Sequence, residues 1–164
     1  MNRREFIRAG VAGGIVLTFA GQIARADPKN GDEESAMLAA VSSAVLAGVL
    51  PQGAVLRQGA IADTVAGVRE AISGLSANAQ KEVGELFALL TFGLARRFLA
   101  GVSSPWATAR DAEVAAFLES WRHSRFKLLR GAYAALHDLV LGAWYARPES
   151  WPAIGYPGAP EVMR

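Results

Sequence analysis

The sequence predicts an all-α fold, a single bundle of about five helices closed by an extended tail, and three observations predict it. Beyond position 34, apolar residues recur three and four positions apart, which is the period of one helix face, whereas alternating β-branched runs are absent. Proline and glycine punctuate these runs where helices would stop. The stretch 27–164, about 138 residues, suits one domain that can bury a core without metal or disulfide staples.

The elements follow in order. Positions 27–34 are acidic and are expected to be mobile. Leu38, Val41, Val45 and Val49 then mark the inward face of a first helix, which Pro51-Gln52-Gly53 ends. A second helix is expected over 60–72, with Ile61, Val65, Val68 and Ile72 inward and Gly74 as its stop. Ser76 can accept the free amide protons at the start of a third, whose stripe is Val83, Leu86, Phe87 and Leu90, running on through Leu94 and Phe98 with Gly93 weakening the middle. Thr108, with Asp111 three positions on, fits a reciprocal capping arrangement that opens a fourth helix facing inward through Val114, Phe117, Leu118 and Trp121. The fifth, about 126–145, carries Leu129, Tyr133, Leu136, Val140 and Trp144. Aromatic residues concentrate from Trp106 onward, so the first two helices, rich in Ala, Val, Leu and Gly, would form a thin layer needing support from the rest of the chain or from a partner.

Ahead of the bundle stands Arg3-Arg4-Glu5-Phe6-Ile7-Arg8, an uncharged Gly- and Ala-rich run over 9–23, and Ala24-Arg25-Ala26, which has the small-x-small form of a signal-peptidase site. The run is too short and too interrupted by Gly10, Gly13, Gly14 and Gly21 for a membrane-spanning helix, which needs roughly 20 strongly apolar residues. A removable leader over 1–26 is expected, with cleavage before Asp27 set by Ala24 and Ala26. The pattern resembles the twin-arginine translocation (Tat) signal, written S-R-R-x-F-L-K, with Asn2 in place of the serine and Arg8 in place of the lysine. That resemblance implies export of an already folded protein, with Arg3, Arg4 and Phe6 engaging the translocase. The leader holds Arg3, Arg4, Arg8 and Arg25 against Glu5, so its loss takes the net charge from +2 to near −1. The basic excess therefore argues for neither nucleic acid nor anionic lipid as a partner.

Little in 27–164 assembles into a catalytic site. The chain has no cysteine, which excludes disulfides, covalent c-type haem, thiolate zinc sites and cysteine-ligated iron–sulfur clusters. His123 and His137, the only histidines, fall on separate predicted helices with no carboxylate cluster at metal-ligand spacing, and Asp138 beside His137 would point about 100° away on a helix. No serine lies in a G-x-S-x-G elbow, and no G-x-G-x-x-G follows a strand. Catalytic, cofactor-binding and metal-binding residues are accordingly assigned to none. Arg122, Arg125, Lys127 and Arg130 read as a solvated helix surface, and Arg96-Arg97 as a helix end where positive charge meets the carbonyl dipole. The tail differs: four prolines over 147–160 forbid a regular helix and predict an extended strap that presents Trp151, Ile154 and Tyr156. Large aromatics on a stiff strap suit either the chain's own bundle or a neighbour. The Ser103-Ser104-Pro105-Trp106 turn is a smaller feature of the same kind.

The leader, the helical body, Phe117-Leu118-Glu119-Ser120-Trp121-Arg122, and the end from Trp144-Tyr145 to Tyr156-Pro157-Gly158 together resemble the gluconate 2-dehydrogenase subunit 3-like proteins. These are small Tat-signal subunits that accompany a large FAD-dependent flavoprotein of the glucose–methanol–choline (GMC) type, often with a cytochrome c. The resemblance implies a non-catalytic periplasmic subunit that binds, stabilises and escorts a FAD-dependent alcohol or sugar dehydrogenase lacking a leader of its own. FAD would sit in the partner, and Trp106, Trp151, Ile154 and Tyr156 are the expected contacts with it. From another class stands a free periplasmic helical protein that binds a small ligand in its bundle, or a hydrolase whose site has no recognised motif.

Overall fold

The computed structural model describes residues 28–157, with side chains throughout except at 28–30 and 152–154. The leader residues Arg3, Arg4, Phe6, Ala24 and Ala26 lie outside the described residues. What is described is all-α: α1 (Pro28–Val45), α2 (Ala54–Ser73), α3 (Ala77–Thr91), α4 (Asp111–Arg122) and α5 (Lys127–Tyr145), with short turns of other helical types between and after them.

From Pro28 on, the acidic stretch expected to be mobile is instead the opening of α1. Proline suits a first helical position, since its fixed φ is already helical and its missing N–H would have no partner there. From α2, Arg69 hydrogen-bonds Ser35 at 2.6 Å and approaches Glu34 at 4.0 Å, tying this end down. The inward stripe also ends sooner than its spacing predicts. Past Val45 the chain tightens, Val49 N–H donating to Leu46 O at 2.9 Å, so that Leu46 and Leu50 turn inward while Val49 faces out.

Helix α2 starts at Ala54 rather than near 60, because Gly53 at φ 95° lets the chain turn directly into it. Ser76 caps α3 as expected, accepting from Ala79 N–H at 3.3 Å. The third stripe does not run on through Leu94 and Phe98 as one helix. At Phe92 the backbone extends, a single turn follows at Gly93–Ala95, and Arg96–Ala100 forms a π-turn closed by Gly101 at φ 72°.

The capping arrangement predicted for Thr108 and Asp111 is absent as well. Thr108 lies in a 3-10 turn (Trp106–Thr108) and its hydroxyl donates to Pro105 O, while Arg110 is the residue before α4 and supplies no side-chain cap. Asp111 is drawn away by stronger partners. It accepts from Ser43 at 2.8 Å and from the Arg57 guanidinium at 2.7 Å, so one carboxylate ties α4 to α1 and α2.

Helix α1 lies at the centre and packs against each of the other four helices and against the Trp106 turn. Met37, Leu38 and Val41 are fully buried there, with the small Ala36, Ala39, Ala40 and Ala44 packed partly buried around them. Support for the thin first layer thus comes from later parts of the same chain. The side chains that looked insubstantial are what allow one helix to be surrounded. Between α2 and α5 the backbones approach closely, and a methyl group added at Gly67 would sit 3.1 Å from Ala143 Cβ.

The later aromatics pin the irregular segment. Trp106 is 2% exposed and donates its indole N–H to Leu90 O at 2.9 Å, and Trp121 donates to Leu99 O at 3.2 Å. Between them Phe117 stacks edge-on, with ring centroids 6.1 Å from Trp106 and 4.8 Å from Trp121.

Candidate interaction surfaces

Of the four residues assigned to a partner contact, Trp106 belongs to this chain's own core and presents no surface to a neighbour. The sequence placed it in a proline turn, a setting that says nothing of which way the ring faces. The tail is not extended either: Pro148–Ile154 is a 3-10 helix, which Pro148 can open because a first helical position needs no N–H donor. Ser150 is buried, its hydroxyl donating to Arg147 O at 2.7 Å, and Trp151 donates its indole N–H to Tyr145 O at 2.9 Å. Trp151 is half-buried, with Tyr156 edge-on at 5.2 Å and 45% exposed. Ile154 ends the 3-10 helix, and its side chain lies outside the described residues. Trp151 and Tyr156 therefore form a clasp on the end of α5 with one outward edge.

His137 and Asp138 do meet, contrary to the helical-wheel expectation: His137 Nδ1 is 3.4 Å from Asp138 Oδ1, because neighbouring side chains on an exposed helix bend toward each other. His123 pairs with Glu119 at 2.8 Å on the outside of α4. Both are surface pairs, and among the described residues no group of three or more His, Asp or Glu side chains gathers at metal-binding distance. Ser124-Arg125-Phe126-Lys127 has the S-x-x-K spacing used by some acyl-transfer serines. Here the Ser124 hydroxyl accepts from Phe126 N–H at 3.1 Å and helps turn the chain into α5.

Glu113, which the sequence did not single out, orders the turn before α4. Its carboxylate accepts from Ser103 N–H at 2.6 Å, and that backbone bond holds its pKa below the ordinary glutamate value against the opposing effect of burial.

Among the described residues, two apolar surfaces stand out. One is a groove of roughly 430 Å³ between the α1–α2 turn and the end of α5, bounded by Val49, Pro51, Val55, Leu56, Trp144 and Arg147. Val55 is 83% exposed and Leu56 65%, while Arg147 is held on the rim by Asp63 at 2.8 Å. The other surrounds the π-turn, where Phe98 is 80% exposed and Leu94 59%. The Trp121–Leu99 bond brings that turn beside the end of α4, from which the chain leads into exposed Phe126 and Leu128. The sequence assigned Leu94 and Phe98 to the core because their spacing continues the α3 stripe, and only the break at Phe92 turns them out.

Comparison of the chain with family models, with characterised proteins and with solved structures finds no match.

Proposed function

We propose that this chain is a non-catalytic small subunit that binds a folded FAD-dependent GMC-type dehydrogenase, escorts it through the Tat pathway and stays with it in the periplasm, where a cytochrome c takes the electrons. The observation that carries the reading is uncovered apolar surface on a bundle whose core is already filled. Leu94, Phe98, Val55, Leu56 and Leu128 are all more than half exposed while Trp106, Trp121 and Leu136 are sealed within. Soluble chains seldom leave large apolar side chains clustered in water unless another surface covers them. The twin arginine at Arg3-Arg4 supports the same reading, since the route it resembles serves folded cargo and this chain has no cofactor motif requiring it.

Copurification tests the proposal. A tagged chain expressed together with its neighbouring genes should bring down a large yellow, flavin-containing protein. Recovery of the chain alone as a monomer from those cells would overturn it. The groove beside Trp144 favours a second reading, a free periplasmic ligand-binding protein, because its volume falls within the range of about 300–1,000 Å³ common to small-molecule sites. A small molecule retained through native purification, and lost on Leu56→Arg, would decide for that reading.

A further inference from the structure

The surface around the π-turn differs from the groove in charge. Arg57, Arg69, Arg122 and Arg147 each reach a carboxylate of this chain. Arg96 and Arg97, which stand between Leu94 and Phe98, meet no carboxylate among the described residues, and Arg97 is exposed. A guanidinium that no carboxylate of its own chain meets can take one presented by another surface. The support beneath is firm, because Trp106 holds the carbonyl of Leu90, before the break, and Trp121 that of Leu99, within the turn. A surface already fixed in shape loses little entropy when it is covered.

We propose that this end of the bundle, Leu94 and Phe98 with Arg96 and Arg97, docks a partner protein through an apolar cleft rimmed by carboxylates. Charge complementarity sets the chemistry of the occupant: two neighbouring arginines that meet no carboxylate of the described residues call for acidic groups supplied from outside. Phe98, at 80% exposure and with its backbone held on both sides, is the natural anchor for the cleft. In the escort reading, on which the partner's identity but not the surface itself rests, the occupant is the flavoprotein.

The test is photo-crosslinking in the cells that make the protein, with benzoylphenylalanine replacing Phe98 in one full-length chain and Val55 in another, and mass spectrometry of the joined peptides. Position 98 should crosslink to one protein, through a peptide containing Asp or Glu, and position 55 should not reach that peptide. If the captured protein carries FAD, both the docking surface and the escort reading hold. If it is a different protein with an acidic contact peptide, the docking surface holds and the escort reading falls. Crosslinks from position 98 only to lipid or to a second copy of this chain, or no crosslink at all, overturn the docking proposal. With the captured partner, Leu94→Ser/Phe98→Ser and Arg96→Glu/Arg97→Glu should each weaken binding at least ~10-fold, and wild-type binding should fall with salt where that of the charge-reversed chain does not. Circular dichroism showing wild-type helicity keeps the comparison clear of misfolding, and unaltered binding by either folded variant would sink the proposal.

Discussion

A single carboxylate fixes the turn between the π-segment and α4. Glu113 is an acid whose folded pKa lies below its ordinary value, so its contribution to stability is present above the unfolded pKa and is lost as pH falls through the folded one. At neutral pH the Ser103 amide should exchange slowly with solvent, and acidification below the carboxylate range should release it. Glu113→Ala, which removes the acceptor, should leave the Ser103 amide unprotected at every pH, measured by amide exchange at Ser103, whereas a protected Ser103 amide in that variant would contradict the role. Trp106 is a second decisive residue. Trp106→Phe keeps most of the ring but leaves Leu90 O without its donor, at a cost of about 1–3 kcal/mol. Trp106→Ala also opens a cavity and should cost about 3–5 kcal/mol by urea unfolding. Neither effect should depend on any partner, since the ring is enclosed by its own chain. A loss of binding with unchanged stability would reverse that assignment.

Between helices, the close approach of α2 to α5 makes equivalent changes unequal. Gly59 and Gly67 both lie in α2, yet a methyl group at Gly59 meets open space and one at Gly67 meets Ala143. Gly59→Leu should stabilise by about 0.5–1 kcal/mol through helix propensity. Gly67→Leu should destabilise by about 1–3 kcal/mol by forcing the helices apart. Thermal unfolding of the pair checks this, and equal shifts would mean the crossing is looser than its 3.1 Å approach implies. The same scale shows which parts of the fold were legible in the sequence. Ser76 and the stripe Val114, Phe117, Leu118 and Trp121 could be read because capping and amphipathicity are local, and the structure uses them as written. Asp111 could not, since its partners Ser43 and Arg57 are distant in sequence and adjacent only after folding. The outward turn of Leu94 and Phe98 was hidden for another reason: the extended backbone at Phe92 resets which face the following residues occupy without altering their spacing in the chain. With it went the most exposed part of the candidate surface, while the tail aromatics that the sequence favoured fold partly back on α5.

At the scale of the whole molecule, the Arg3-Arg4 pair can be separated from the bundle experimentally. Replacing both by Lys keeps the charge and removes the guanidinium groups, so if the leader works as its pattern suggests the protein and any dehydrogenase activity travelling with it should accumulate in the cytoplasm. Cell fractionation and an activity assay read this, and unchanged periplasmic activity would count against shared export. The placement of α1 carries a consequence in time. It is the first described helix to be synthesised, and the helices that surround it end only at Tyr145. While the ribosome is still short of α5, Met37, Leu38 and Val41 have nowhere complete to go, and contacts so far apart along a chain form slowly. A helix enclosed by those that follow it cannot mature piecemeal from the front; it ripens only once α5 has emerged.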